Sequence, residues 1–323
     1  MKNTSKIISI FLAAVLCFSG CAAPDYSASK QLKVSVQNDM PTSDITMMSD
    51  KYAVVKYDSE LNDSKYSDTY STLLINDTTN TPEVVKDVHK LIYPASMTKL
   101  MTGLLVIESI EAGTLSLDDE VTLDRTVTFD DWGAVASPLT VGCKTTVKDL
   151  LYGLLISSYN DCAVILSELV SGSESAFVEA MNTRAKELGA TNTHYKNPHG
   201  LHDDGHYTTA YDLYLIFKEF TSHELAYVID TTSSYTFQYK DPSGNSCSEE
   251  LEPTNGFMTG EYQLPSGFSI GSWKSGTTMQ AGHCLIVEFV NNSTGDKFFA
   301  VCAGNVDRDA LYGHITDLIK TSK

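Results

Sequence analysis

Between Ser96 and Glu111 the chain reads SMTKLMTGLLVIESIE. Met97, Leu100, Met101, Leu104, Leu105, Val106 and Ile107 fall on every side of the helix this run implies. A helix that is apolar all round needs neighbours on every face. The fold must therefore be layered around it, and 323 residues are enough chain to build such layers. Gly113 supplies the stop. Lys99 does not fit this pattern. A positive charge in the first turn opposes the helix dipole. Burial strips its solvation, lowers its pKa and leaves a free amine. Ser96 and Lys99 share a helix face. Either Ser96 is an N-cap and Lys99 a solvated charge, or the amine takes the proton of the hydroxyl and makes it a nucleophile.

Spacing alone does not decide this, because the same SxxK pattern occurs at Ser27–Lys30 in a polar stretch. Two downstream features add weight. The apolar run LLYGLLISSYNDCAVILSELVSG, residues 150–172, is interrupted by Ser158, Tyr159, Asn160 and Asp161. Polar groups buried there need partners. They either cap a connection between two helices or belong to a site. Further on, IGSWKSGTTMQAGHCL carries Lys274, Ser275 and Gly276 on an expected strand. Gly276 leaves room for the backbone of a ligand beside that strand. Lys274 taken by itself reads as an edge-strand charge that discourages mispairing.

The remaining pattern places these segments. Strands are expected over 52–58 and 71–77, and a loop-rich stretch over 114–144. Helices are expected over 96–111, 146–170, 173–188 and 208–220. A mixed stretch leads to strands over 268–278, 284–290 and 297–304, and a helix over 307–321 closes the chain. Strands thus flank a helical middle. The expected class is α/β of the α+β type, an antiparallel sheet flanked by terminal helices with an inserted helical subdomain.

The N-terminus has Lys2 and Lys6, an apolar run from Ile7 to Phe18, then Gly20 and Cys21. The run is too short for a membrane-spanning helix of ~20 residues and fits an export signal. Gly20-Cys21 resembles a bacterial lipobox, with Phe18 where leucine is usual; a plain signal peptide is the other reading. The expected layout is a signal over 1–20, a polar tether over 21–50 and one catalytic domain over 51–323. The formal net charge of −18 without a basic stripe argues against nucleic-acid binding. Cysteines 143, 162, 247, 284 and 302 form no CxxC pair, so no zinc site is expected. Cys284 and Cys302 are either a hairpin disulfide or free buried thiols. There is no HExxH and no nucleotide loop, so no metal or cofactor is expected.

SxxK, SxN and K[ST]G in this order define the serine penicillin-recognising enzymes. The flanks YPASMTKLMT, DLLYGLLISSYNDCAVILSELVSG, FVEAMNTRAKELGATNTHYKNPHGL and KSGTTMQAGHCLI resemble the D-alanyl-D-alanine carboxypeptidases, the low-molecular-weight penicillin-binding proteins of serine peptidase family S11. The resemblance runs from Tyr52 to the C-terminus. It implies a β-lactamase/transpeptidase-like fold, peptidoglycan pentapeptide stems as substrate and β-lactam antibiotics as acylating ligands. It implies that Ser96 attacks the penultimate D-Ala carbonyl, that Lys99 takes its proton and that Ser158 relays a proton to the leaving nitrogen. Asn160 would hold the substrate amide and Lys99, and Lys274 would place positive charge near Ser158 and the substrate carboxylate. Ser275 would hydrogen-bond that carboxylate beside Gly276. The N–H groups of Ser96 and Thr277 would form an oxyanion hole, an element worth about 3–4 kcal/mol in related acyl transfers. Arg308 matches an arginine that binds the terminal carboxylate in some members, and His199 falls in a structural loop.

Two departures stand out. KSG replaces KTG, which removes the methyl that limits the hydroxyl's rotamers. SYN replaces the commoner SGN, which is expected to put an aromatic ring near the cleft. No C-terminal β-domain is expected, so a lipid on Cys21 would anchor the chain at the outer face of the cytoplasmic membrane. The alternatives are a class A-like β-lactamase, a D,D-endopeptidase and a non-catalytic penicillin-binding sensor. The first needs a glutamate on a loop after SxN, and ELGATNTHYKNPHGL shows no ExxLN pattern.

Overall fold

Four of the strands read from the sequence assemble, with one that was not read, into a five-stranded antiparallel sheet. The computed structural model describes residues 51–56, 63–131 and 133–322. The signal, the tether and Cys21 lie outside the described residues. The sheet holds β1 (Ser71–Asn76), β2 (Thr81–Lys86), β7 (Phe268–Thr278), β8 (Gly282–Asn291) and β9 (Lys297–Asn305), in the order β2-β1-β9-β8-β7. A second, four-stranded sheet runs β3 (Glu120–Thr122), β4 (Lys144–Thr146), β5 (Tyr235–Lys240), β6 (Ser246–Leu251). The helices of seven or more residues are α1 (Lys99–Glu111), α2 (Val147–Leu155), α3 (Asn160–Ser171), α4 (Glu174–Glu187), α5 (Ala210–Phe220), α6 (Glu224–Asp230) and α7 (Arg308–Thr321).

The pleat of the large sheet sorts its side chains into two cores. Leu74, Leu285, Val287, Phe298 and Ala300 face α7, where Leu311, Ile315 and Leu318 close over them. Leu73, Ile75, Ile286, Phe299 and Val301 face the helical side and join α1, α2, α3 and α5 in one larger core. β1 is buried along its whole length because both faces are covered. α1 is enclosed as its composition requires. At Gly103 a Cβ would lie 3.1 Å from Leu155 and 3.2 Å from Phe220, so this glycine lets α1 approach both α2 and α5.

Several expectations are corrected. Residues 52–56 form no strand; Ala53 instead accepts from Tyr211 Oη (2.9 Å) and donates to Tyr214 Oη (3.0 Å) on α5. The expected helix over 146–170 is two helices. Thr146 caps α2 by accepting from Asp149 N–H, and the chain breaks before α3 where Ser158 takes φ +61°. The capping residues Ser173, Thr209 and Asp307 start α4, α5 and α7. The β5–β6 hairpin lay in the mixed stretch, because Phe237 and Leu251 are its only fully buried residues among those described. Of the two readings of Cys284 and Cys302, that of free buried thiols holds. Cys302 pairs in register with Leu285, so Cys284 points to the opposite face of the sheet.

Candidate active site

Ser96 is not an N-cap. It lies inside a 3-10 turn, Ala95–Thr98, and α1 begins only at Lys99. Ala95 holds φ +48°, a strained value for a residue with a Cβ. Three contacts hold this turn. Thr98 Oγ1 donates to Ala95 O at 2.8 Å and lies 2.8 Å from His206 Nε2. Burial pushes His206 down to about 4, so it is neutral; its Nδ1 accepts from Lys196 N–H, which leaves Nε2–H to donate to Thr98. Gly200, at φ +89°, sits so close that a Cβ would fall 1.9 Å from Ala95 O. On the other side, a Cβ on Gly276 would fall 2.9 Å from Pro94 O and 3.0 Å from Ser96 N. The bare backbone of Gly276 is thus required by the serine turn itself, not only by a ligand.

Lys99 is fully buried. Its Nζ lies 3.0 Å from Ser96 Oγ, 2.7 Å from Asn160 Oδ1 and 2.7 Å from His199 O. The loop that delivers the His199 carbonyl is fixed by Thr102 Oγ1 donating to Pro198 O at 2.6 Å. Burial first, and then the charge of Lys274, hold the Lys99 ammonium well below its ordinary range. A neutral amine has two protons and one lone pair. Asn160 Oδ1 and His199 O can only accept, so they take both protons and the lone pair faces Ser96 Oγ.

Asn160 is the first residue of α3, and its N–H donates to Val135 O at 2.8 Å. Ser158, two residues earlier, accepts from Lys274 Nζ at 3.1 Å. Lys274 is fully buried, and burial pushes it down to about 7 against the opposing pull of Asp230. Lys274 lies on β7, an edge strand of the large sheet, so its free edge faces the serine turn. Ser275 Oγ lies 2.6 Å from Thr254 Oγ1. Thr277 is exposed, with Oγ1 3.3 Å from His283 Nδ1. Ser96, Lys99 and Asn160 thus share one cluster, Gly276 seats its turn, and the Lys274–Ser158 pair stands in the same groove where the β7 edge meets the helical layer; Ser275 and Thr277 follow on the same strand.

Arg308 is not joined to that group by any contact among the described residues. Its guanidinium pairs with Glu261 at 2.5 Å and lies 5.4 Å from the Tyr312 ring centroid. Tyr159 is turned away from the groove, contrary to the expectation from SYN. Its ring is buried beside Gly153 and edge-on to Phe237, and its hydroxyl donates to Glu249 Oε1 at 3.1 Å. His199 is buried and neutral, with its ring nitrogen accepting from Leu201 N–H, a structural role as expected. Thr98, His206, Gly200, Thr254 and Asp230 were not expected. Thr98 and Gly200 stand inside quoted motifs without an assigned role, and His206, Thr254 and Asp230 come from separate segments that only the fold brings to the groove. Elsewhere Glu108, Glu219 and His223 bring ligand atoms within 4.8 Å of one another. Arg184 already bridges both carboxylates, at 2.7 and 2.9 Å, so this group is an ion-pair network.

A serine paired with a buried amine, beside a second serine–lysine pair on an edge strand, is the arrangement of a serine acyl-transfer enzyme. The family comparison makes the assignment: residues 60–302 match the Peptidase_S11 family, D-alanyl-D-alanine carboxypeptidase, and the chain belongs to that family. It is 36% identical over 234 residues to the D-alanyl-D-alanine carboxypeptidase DacF of Bacillus subtilis, covering 72% of this chain and 57% of that protein. It is 32% identical over 199 residues to a D-alanyl-D-alanine endopeptidase of Pseudomonas aeruginosa, covering 61% of this chain and 59% of that protein. The chain thus spans a little over half the length of these curated relatives. Among solved structures, a Listeria monocytogenes penicillin-binding protein with bound cefotaxime superposes with a TM-score of 0.65 at 24% identity, covering 79% of this chain and 96% of the other. A Streptomyces DD-transpeptidase gives 0.70 at 24% identity, with 79% and 96% covered. These two likenesses establish the β-lactamase/transpeptidase-like fold.

Proposed function

We propose that the protein is a serine-type D-Ala-D-Ala carboxypeptidase that removes the terminal D-alanine from peptidoglycan stem peptides and is acylated by β-lactams. The observation that carries this reading is the Lys99 amine, 3.0 Å from Ser96 Oγ with only neutral acceptors as its other partners. Among the described residues no carboxylate hydrogen-bonds it, and the charge of Asp161, which favours the ammonium, is outweighed by burial. In the proposed reaction Ser96 Oγ attacks the penultimate D-Ala carbonyl carbon while its proton passes to Lys99. The negative charge on the carbonyl oxygen is met by the N–H groups of Ser96 and Thr277, a reading supported by the close seat of Gly276 against Ser96 N. The C–N bond then breaks, and the departing nitrogen takes the proton of Ser158, which Lys99 replaces with the one it took from Ser96, so that Lys99 is again a free amine. Water attacks the acyl-enzyme with Lys99 again as base, and free D-Ala and the shortened stem leave. Ser275 hydrogen-bonds the terminal carboxylate, Lys274 supplies positive charge near it and Ser158, and Asn160 orients both Lys99 and the substrate amide. Arg308 acts on the carboxylate only if the ligand draws it from Glu261.

The test is D-Ala release from a diacyl-L-Lys-D-Ala-D-Ala peptide by wild type and Ser96→Ala, alongside acylation by labelled penicillin. Release by wild type and none by the variant is expected. Acylation without release marks a sensor, and rapid hydrolysis of penicillin marks a β-lactamase. Similarity to a named endopeptidase favours one further assay, on crosslinked dimers, because that activity differs only beyond the scissile bond. We also propose that residues 51–323 form the catalytic domain and that Cys21 is lipidated after export, anchoring it at the outer face of the membrane. Labelling with a radioactive fatty acid, lost in Cys21→Ser, checks the anchor. Among the described residues no helix is long and apolar enough to cross a membrane.

A further inference from the structure

We propose that Thr254 is a positioning residue that sets the Ser275 hydroxyl and thereby the seat of the substrate's terminal carboxylate; this rests on the carboxypeptidase reading above. Side chains alternate along β7, so Lys274 and Ser275 leave the strand on opposite faces. Lys274 finds Ser158 on its side. Ser275 finds Thr254, with the two hydroxyl oxygens 2.6 Å apart. A serine has three open χ1 wells where a threonine is restrained by its methyl. In KSG the restraint is gone from position 275, and a hydrogen bond from outside the motif takes its place.

The segment that carries Thr254 is itself fixed. Thr254 N–H donates to Ile156 O at 3.3 Å, and Ser157 Oγ donates to Glu252 O at 3.1 Å. Asn255 is buried; its Oδ1 accepts from Phe257 N–H at 3.0 Å, and Gly256 N–H donates to Tyr312 Oη on α7 at 2.6 Å. Residues 252–255 therefore tie the turn that presents Ser158 to the strand that presents Ser275. Proton counting gives the bond its direction when substrate is bound. Ser275 has one proton, and if it goes to the carboxylate, Ser275 must accept from Thr254. The chain Thr254 O–H to Ser275 O–H to carboxylate is then a run of aligned donors, each polarising the next.

The test is a double-mutant cycle on the full catalytic domain. Acylation by labelled penicillin, and kcat and KM for D-Ala release, are measured for Thr254→Val, Thr254→Ser, Ser275→Thr and Thr254→Val/Ser275→Thr. Loss of one hydrogen bond predicts about a five- to tenfold lower acylation efficiency for Thr254→Val, with KM raised more than kcat is lowered. Thr254→Ser keeps the hydroxyl and should stay within about twofold of wild type. With threonine at 275, the valine substitution should cost less than about twofold, because the methyl restores the rotamer. An equal cost in both backgrounds, or no cost at serine 275, overturns the proposal. Thr254→Ala in the same cycle replaces valine if that variant does not fold. Wild type that acylates but releases no D-Ala sinks the carboxypeptidase reading alone, since the acylation cycle still decides Thr254.

Discussion

Lys274 Nζ stands 3.1 Å from Ser158 Oγ, across the groove from Lys99 and Ser96 at 3.0 Å. Each buried lysine therefore holds one serine, and the proposed reaction requires the two in opposite protonation states. Lys99 must be an amine to take a proton, and Lys274 must be an ammonium to meet a carboxylate. Their proximity helps, because the charge of Lys274 is one cause of the lowered pKa of Lys99.

The rate of penicillin acylation should therefore follow a bell. It rises with pH as Lys99 loses its proton and falls as Lys274, at about 7, loses its own. Among the described residues the charge that favours the Lys274 ammonium is the fully buried carboxyl of Asp230, which burial pushes up to about 8. The two titrate as a pair. Asp230→Asn removes the attraction, so the descending limb should move to lower pH. As Lys274 loses charge, the ascending limb should also move up. A pH profile whose descending limb stays in place in Asp230→Asn would show that Lys274 is not the group behind it.

Gly276→Ala tests the seat of the nucleophile. The added methyl meets backbone atoms, Pro94 O at 2.9 Å and Ser96 N at 3.0 Å, which cannot swing aside as a side-chain end can. The serine turn must shift, costing about 1–3 kcal/mol of stability. Because the shift is at Ser96 itself, acylation should fall by more than about a hundredfold, the size of losing one oxyanion donor. Near-normal acylation in a folded Gly276→Ala would mean that the turn can move without harm.

The three motifs were legible because each is a local break in a strong apolar pattern, as Lys99 is in α1. The sheet strands β8 and β9 were legible because they are long and apolar, and β7 because KSG lies on it. β2 and the β5–β6 hairpin were not, since TPEVVK and SCSEEL bury too few side chains to show a period. The props of the site were invisible for a different reason. His206 reaches Thr98 across 108 residues, and Thr254 reaches Ser275 from a turn with no motif of its own. Such pairings are fixed by tertiary packing, which periodicity does not encode.

His206 makes the serine turn sensitive to acid. Its folded pKa is about 4 against an ordinary value of 6.5, so the unfolded chain binds more protons between these values. Stability should fall as pH drops from about 6.5 toward 4 and level off below that, by on the order of 3 kcal/mol for this residue. His206→Gln keeps a donor for Thr98 but does not titrate. Its unfolding temperature should fall less than that of wild type over the same window. Parallel pH dependence in the two proteins would show that His206 is not buried neutral in solution.

Tyr159→Gly converts SYN to the commoner SGN and decides what the ring does. An aromatic at the cleft would make the glycine variant faster or altered in substrate choice. The structure gives the opposite expectation. The ring fills space beside Gly153 and Phe237, and its hydroxyl holds Glu249 on β6. Removing it leaves a cavity between α2 and the β5–β6 hairpin, at about 3–5 kcal/mol for a buried aromatic. Glycine adds backbone entropy next to the strained Ser158, costing roughly a further 1 kcal/mol. Tyr159→Phe should lose only about 1 kcal/mol, since it keeps the packing and gives up one hydrogen bond. Denaturant melts should rank the three proteins wild type, Tyr159→Phe, Tyr159→Gly in falling stability. Acylation efficiency of the phenylalanine variant should match wild type within about twofold, because the hydroxyl it loses points away from the groove. A Tyr159→Gly protein as stable as wild type and faster at D-Ala release would place the ring in the cleft after all.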